Sequence, residues 1–312
     1  MSSNLKPRQF VQSYKPMLTN KIRVFGEVLL DEFPDGQQIL GGAPFNVAWH
    51  LQAFGQATDF ISRIGDDTEG LSIKQAMQHW GMNLENIQVD PIYPTGKVQI
   101  TLHNGEPHYA ILANQAYDFI DASAIKGQSM ASDVLYHGTL ALRQPVSSES
   151  FAKLIANHAG KIFLDVNLRQ PWWQTNHVET LLNRANWAKL NEDELQCLQP
   201  TNETLNDAMR AFRAKHKLDV LIVTRGEHGA IALDSQANFY EVVPGEAVRV
   251  VDTVGAGDAF SAAVIVGLQR EWPLPLTLQR AQAFASALVG QQGAIIRNVE
   301  FYQAYRTAWQ LG

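Results

Sequence analysis

Val250-Val251-Asp252-Thr253-Val254-Gly255-Ala256-Gly257-Asp258-Ala259-Phe260 places an apolar run, a turn of small residues and the start of a new apolar period side by side. Phe260, Val264 and Leu268 follow at helical spacing. The stretch reads as a strand end, a glycine turn and a helix that starts near Asp258. Small residues at 255 to 257 let the backbone turn sharply and bring its N–H groups close to a ligand, and a helix N-terminus favours negative charge. Together they make an anion hole. Asp258 has two readings here: Asp caps helices by accepting backbone hydrogen bonds, and beside an anion hole it can accept a proton from an attacking hydroxyl.

Outward from this turn, short β-branched and aromatic runs alternate with stretches of helical spacing, which implies parallel strands joined by crossover helices. The expected strands are Ile22–Phe25, Asp59–Ile61, Val134–His137, Ile162–Asp165, Trp187–Leu190 and Val220–Thr224; the expected helices include Asn46–Phe54, Gly70–Trp80, Ser148–His158 and Asn202–Lys215. The fold class is α/β. Val28–Leu40 and Lys97–Leu112 break the rhythm, and Asn104-Gly105 suggests a hairpin in the second. Both fit a small sheet beside the main domain, placed to act as a lid that expels water from a ligand beneath it, or an ordinary surface hairpin.

A chain of 312 residues with 46% apolar content buries a large core and fits one main domain. Its net charge of −6, with no cluster of Lys and Arg, argues against a nucleic-acid partner. Cys197 is the single cysteine, so no internal disulfide is expected, which fits a reducing, cytoplasmic setting. Residues 1–20 lack the unbroken apolar region of a secretion signal and read as a loose tail, and no apolar run approaches the ~20 residues of a membrane span. The histidines show no metal-binding spacing.

Asp252-Thr253-Val254-Gly255-Ala256-Gly257-Asp258 resembles the C-terminal signature of the ribokinase-like (PfkB-type) carbohydrate kinases. Their N-terminal signature is matched by Gly41-Gly42-Ala43-Pro44-Phe45-Asn46-Val47-Ala48, then Gly55 and Gly65. The resemblance runs from about Lys21 to Arg297. It implies a three-layer αβα domain with a mostly parallel central sheet and a small β lid, spanning 21–312, with the lid at about 28–40 and 93–113. It also implies ATP as donor, Mg²⁺ as cofactor and a homodimer through the lid.

Residue by residue, the resemblance implies that Asp258 is the general base and that the backbone of Gly255, Ala256 and Gly257 stabilises the transferring phosphoryl group. Asn46 would present its amide to sugar hydroxyls, with Gly41 and Gly42 permitting close approach. Asp31 would take hydrogen bonds from two sugar hydroxyls; a solvated loop acid is the plainer reading. Asn191-Glu192-Asp193-Glu194 matches the Asn-x-x-Glu motif, so Asn191 and Glu194 would organise Mg²⁺ through water, although Asn and Glu also suit a helix start. Thr224, Gly226 and Gly229 would line the nucleotide. Arg225 departs from the apolar residue often found at its position, and it either approaches the phosphates or faces solvent. Gly290-Gln291-Gln292-Gly293-Ala294 matches a loop flanking the adenine and a monovalent-cation site, where Asp252 and Val254 would supply oxygens to K⁺.

Asp165-Val166-Asn167-Leu168-Arg169 resembles the Asp-x-Asn-x-Arg stretch of fructokinases and 2-keto-3-deoxygluconate kinases, with Trp172 and Trp173 read as packing residues. Asn167 and Arg169 would project from a strand end toward the sugar. Fructose is the leading substrate, and 2-keto-3-deoxygluconate or another sugar is the alternative. Lys97, His103 and His108 are thin support for a phosphosugar. A regulator that binds but does not turn over, and a dinucleotide-dependent oxidoreductase, are the rivals; the latter lacks the third glycine of its fingerprint.

Overall fold

The computed structural model describes residues 21–103, 106–127, 132, 134–156, 158–245 and 249–311, with the backbone alone at 102, 103, 106 and 107. The expected N-terminal tail and the Asn104-Gly105 turn lie outside the described residues.

Chain order is β1 (Lys21–Phe25), β2 (Leu29–Glu32), β3 (Gln38–Gly41), α1 (Ala43–Ala53), β4 (Ala57–Gly65), α2 (Thr68–His79), β5 (Ile87–Asp90), β6 (Gly96–His103) and β7 (Glu106–Ile111). Then come β8 (Val134–His137), α3 (Pro145–Ala156), β9 (Lys161–Asp165), α4 (Thr175–Leu182), β10 (Trp187–Asn191), α5 (Glu192–Leu198), α6 (Leu205–His216) and β11 (Val220–Thr224). The last elements are β12 (Ala230–Asp234), β13 (Phe239–Val242), α7 (Ala256–Gln269), α8 (Leu274–Val289) and α9 (Val299–Trp309).

The main sheet runs β13-β12-β11-β10-β9-β8-β1-β4-β5. Its pairings are parallel from β5 to β11 and antiparallel from β11 to β13. Strands such as Val134–His137 are buried at every position because helices cover both faces. One core cluster, with Val24, Phe45, Phe60, Val264 and Phe284, lies on the side of α1, α7, α8 and α9. The other, with Leu135, Phe151, Leu182, Leu190 and Phe212, lies on the side of α3 to α6. In α7 the apolar spacing buries Val264 and Ile265 completely, each contributing about 1.5–3 kcal/mol.

The chain leaves β1 toward β4 and β5 on one side and returns through β8 to β13 on the other. Strand order therefore reverses beside β1, and in open α/β sheets a crevice opens there, at the carboxyl ends of the strands. Over it lies a second, mixed sheet ordered β3-β2-β6-β7, in which Lys97–Leu112 does form an antiparallel pair. No helix among the described residues is long and apolar enough to cross a membrane.

Two readings of the opening stretch need correction. Val250 and Val251 are not a strand end: both are exposed, and the amides of Val251 and Asp252 donate to the Val289 carbonyl at 2.9 and 3.2 Å. The helix starts at Ala256, two residues before the expected position, because Gly255 takes a left-handed conformation (φ +79°) that ends the turn earlier.

Candidate active site

At the carboxyl ends of the strands a cavity of about 610 Å³ collects residues from far apart in the chain. Glu27 follows β1, Asn167 and Arg169 follow β9, Asn191 ends β10, and Asp258 opens α7. Asp31, Val98, Ile100 and Ile111 of the small sheet face the same space, so that sheet forms its roof. A second cavity of about 940 Å³ is lined by Gly226, Gly229, Ala256, Ala285 and Val289. The two share Thr224, Thr253 and Gly257, so they meet at the glycine turn.

Asp258 does not cap α7. No side chain among the described residues bonds the first-turn amides, although Ala256 N donates to the Thr253 carbonyl at 3.3 Å, and the Asp258 carboxylate instead accepts from Asn46 Nδ2 at 2.8 Å. Burial pushes the Asp258 carboxyl up to about 7; the Asn46 hydrogen bond opposes the rise and the charge of Asp165 adds to it. It is a carboxyl poised near neutrality beside uncapped amides, the arrangement a general base requires.

Beneath the turn, Asp165 and Lys189 stand opposite each other on β9 and β10 and pair at 2.7 Å. Asp165 also accepts from Tyr136 Oη at 3.0 Å and from Ser261 Oγ at 2.6 Å, tying α7 to the sheet. The Lys189 ammonium lies 3.6 Å from where a Cβ on Gly257 would stand. The turn is anchored from the other side by the loop after α8. Asp252 accepts from Val254 N at 3.0 Å and Gly293 N at 2.9 Å, and Ala294 abuts Gly255. Ala294 O in turn contacts His50 Nε2 at 3.1 Å, and Tyr302 Oη lies 2.9 Å from His50 Nδ1. Burial lowers His50 to about 3, so the ring is neutral, and the carbonyl fixes its proton on Nε2.

The expected sugar-side residues converge. Gly42 adopts φ +108°, and a Cβ there would stand 2.7 Å from the Glu27 carbonyl. A Cβ at Gly41 would lie 3.2 Å from the Asp31 carboxylate, so the missing side chain gives that group room. Burial raises Asp31 to about 6 against the opposing charge of Arg169. Asn167 lines the cavity and accepts from Thr139 Oγ1 at 2.7 Å through its carbonyl. Trp172 packs, with the Arg143 guanidinium 4.2 Å from its ring centre. Lys97 is no ligand-facing cation: it pairs with Glu69 at 2.6 Å and Glu32 at 3.7 Å. His108 is exposed, and the side chain of His103 lies outside the described residues.

Thr224, Gly226 and Gly229 line the second cavity. Arg225 lines the second cavity, where its guanidinium bonds Glu241 and the His228 carbonyl. Asn191 and Glu194 form a reciprocal capping box at 2.8 and 2.9 Å, and the other Glu194 oxygen accepts from Leu168 N at 3.0 Å. Burial raises the Glu194 carboxyl. With both oxygens bonded to backbone, Glu194 fits Mg²⁺ through water rather than as a direct ligand. No group of three or more His, Cys, Asp or Glu side chains suited to a metal occurs among the described residues.

Glu27 lies between the expected strand Ile22–Phe25 and the stretch from Val28, Asp165 opens the Asp165–Arg169 stretch, and Lys189 sits in the expected strand Trp187–Leu190; none of the three has a role in the expectations from sequence. An acid in Val24-Phe25-Gly26-Glu27-Val28-Leu29 is the available signal, since a carboxylate within an apolar run is costly unless it is used.

The model of the pfkB family carbohydrate kinases matches residues 18–300. The fructokinase of Klebsiella pneumoniae is 29% identical over 265 residues, covering 80% of this chain and 85% of that protein. Among solved structures, the fructokinase of Xylella fastidiosa with bound ATP superposes with a TM-score of 0.83 at 20% identity, covering 94% of this chain and 100% of that one. The fructokinase of Vibrio cholerae, in a form with fructose, ADP and calcium ion, gives 0.78 at 24% identity, covering 91% and 98%.

Proposed function

The chain belongs to the pfkB family of carbohydrate kinases, ATP-dependent enzymes that phosphorylate sugars, and from that premise we propose that its acceptor is fructose and its general base Asp258. The observation that carries the reading is the place of the Asp258 carboxyl, held by Asn46 where an acidic cavity meets a glycine-lined one beside an uncapped helix N-terminus.

The sugar occupies the first cavity, with Asp31, Asn46, Asn167 and Arg169 about its hydroxyls, and ATP the second, along Thr224, Gly226 and Gly229. Asp258 accepts the proton of the attacking hydroxyl as its oxygen bonds to the γ-phosphorus and the bond to ADP breaks. The amides at Gly255, Ala256 and Gly257 stabilise the charge that spreads over the equatorial oxygens. Mg²⁺ entering with ATP would neutralise phosphate charge, with Asn191 and Glu194 reaching it through water. The small sheet excludes water by closing on the sugar, Asp252 and Val254 would supply oxygens to K⁺, and two copies pair through the small sheets.

Fructose is favoured by the names of the curated relatives and by the fructose held in the Vibrio cholerae neighbour. A second reading, 2-keto-3-deoxygluconate, is favoured by Arg169, which has no carboxylate partner among the described residues and faces the cavity. An ADP-release assay over fructose, 2-keto-3-deoxygluconate, ribose, nucleosides and phosphosugars decides between them. Fructose should give the highest kcat/KM; a higher value for the keto acid overturns the acceptor assignment.

A further inference from the structure

Glu27 stands just past the end of β1, is 3% exposed, and lines the first cavity with Asp258, Asn46 and Arg169. The backbone N–H groups of Glu27 itself and of Ala141 lie near the carboxyl and favour its charged form. Oε2 has no hydrogen-bond partner among the described residues, and neither has Asn46 Oδ1. Interiors leave few polar atoms unpaired, because an unmet acceptor forfeits its hydration without return. A ligand rich in O–H groups would satisfy both atoms.

We propose that Glu27 is a second acceptor-side carboxyl, which binds a sugar hydroxyl through Oε2 next to the one Asp258 deprotonates and thereby takes part in choosing the sugar. This rests on the sugar-kinase reading of the same cavity. A purely structural role would pair the buried acid with a cation, and no ion pair holds Glu27 among the described residues; nearby Arg143 pairs with Asp118 through Nε and Nη2 at 2.7 and 2.8 Å, while its Nη1 is also without a hydrogen-bond partner. Its position is fixed by close packing. Pro44 would be 2.3 Å from a Cβ on Gly26, and the Glu27 carbonyl fills the space above Gly42. Glu27 is thereby locked to the start of α1, three to four residues from Asn46.

The ionisable groups around it are Asp258 on α7, Arg169 after β9, Arg143, Tyr117 and, on β8, Tyr136. Burial, opposed by those two backbone N–H groups and reinforced by the charge of Asp258, lifts Glu27 to about 7. Near neutral pH it can therefore donate to a sugar oxygen as well as accept from a hydroxyl.

The test compares Glu27→Gln, which keeps the shape, and Glu27→Ala with wild type in steady-state kinetics and in calorimetric titration with fructose alone. A thermal melt with an ATP analogue checks folding. The expected result is a KM for sugar raised about 10-fold or more in either variant, from loss of a hydrogen bond to a charged group, with KM for ATP within about 2-fold. In Glu27→Gln the acid limb of kcat/KM moves to lower pH, because Asp258 loses a neighbouring negative charge. An unchanged KM for sugar together with a stationary acid limb in Glu27→Gln overturns the proposal, whether or not Glu27→Ala folds. If wild type prefers another sugar, the fructose assignment fails alone and the same comparison with that sugar decides Glu27. A wild type that phosphorylates no sugar overturns both.

Discussion

The two cavities that meet at Gly257 are built from different material. The cavity proposed for the acceptor gathers buried or half-buried carboxyls, Glu27, Asp31, Glu194 and Asp258, each raised chiefly by desolvation, with Arg169 and Lys189 as the opposing charge. The donor side presents glycines, alanines and Val289, and its charged residues at the rim pair with one another. Fixed charge in a space of low dielectric discriminates between hydroxyl patterns, because a wrong ligand leaves costly groups unmet. A surface of backbone and small side chains reads shape and accepts any ligand that fits. Selectivity should therefore be fragile to side-chain changes on the acceptor side and nearly indifferent to them on the donor side.

The contrast should be greatest at the junction. Asp258→Asn removes the base but keeps the Asn46 contact region filled, so kcat should fall about 10³-fold or more while ATP affinity stays within about 2-fold. Turnover within 10-fold of wild type would remove Asp258 from its role. The same variant should be more stable than wild type at neutral pH. With a folded-state value near 7 against 3.8 for the free side chain, the folded protein holds the proton more tightly, so stability falls as pH rises between those values. Asparagine escapes that loss: its Tm advantage should be full above pH 7 and vanish toward pH 4, as differential scanning calorimetry would show.

Gly255→Ala ranks next. A Cβ at φ +79° costs roughly 1–2 kcal/mol of backbone strain, and this one would lie 2.5 Å from Ala294 Cα. The turn and the Gly290–Ala294 loop must separate, so activity should drop about 10²-fold with a lowered Tm. Wild-type activity in this variant would mean that the amides of the turn do not bear on the phosphoryl group. A smaller effect comes from pH alone. With Asp258 as the proposed base, its ionised form is the active one, and because burial lifts the carboxyl to about 7, kcat/KM of wild type should fall tenfold per unit below about pH 7. An acid limb near pH 4 would place the base in solvent.

How much of this was legible in sequence divides along the same line. The parallel strands from β1 to β11 were readable because strands buried on both faces are continuous apolar runs, as in Val220–Thr224. Phe239–Val242 was not, because an edge strand half open to solvent carries no such run. On the acceptor side Asp258 could be read from its glycine turn, and Asp31, Asn46 and Arg169 were named through the resemblance. Glu27 was overlooked although an acid in an apolar run is a signal, because its unpartnered oxygen is visible only in the folded chain. On the donor side the glycines at 226 and 229 were named through resemblance alone, whereas Ala285 and Val289 of α8 look like any buried helix face. The Asn191-Glu194 motif had two readings, and the capping box shows that the helix-start reading is satisfied by geometry that still leaves both groups at the cavity wall.

The smallest expected effect tests the indifferent half of the contrast. Arg225 is the one place where the donor side carries a charge that sequence alone could have sent to the phosphates, yet its guanidinium is held by Glu241 and the His228 carbonyl. Glu241 is 57% exposed, and an ion pair so open to water contributes about 0–1 kcal/mol. Arg225→Ala should consequently leave kcat, KM for sugar and KM for ATP within about 2-fold. A rise in KM for ATP of 10-fold or more, with the sugar constant unmoved, would show that the guanidinium leaves Glu241 for the phosphates when the nucleotide arrives, and the donor cavity would then depend on a charged side chain as the acceptor cavity does.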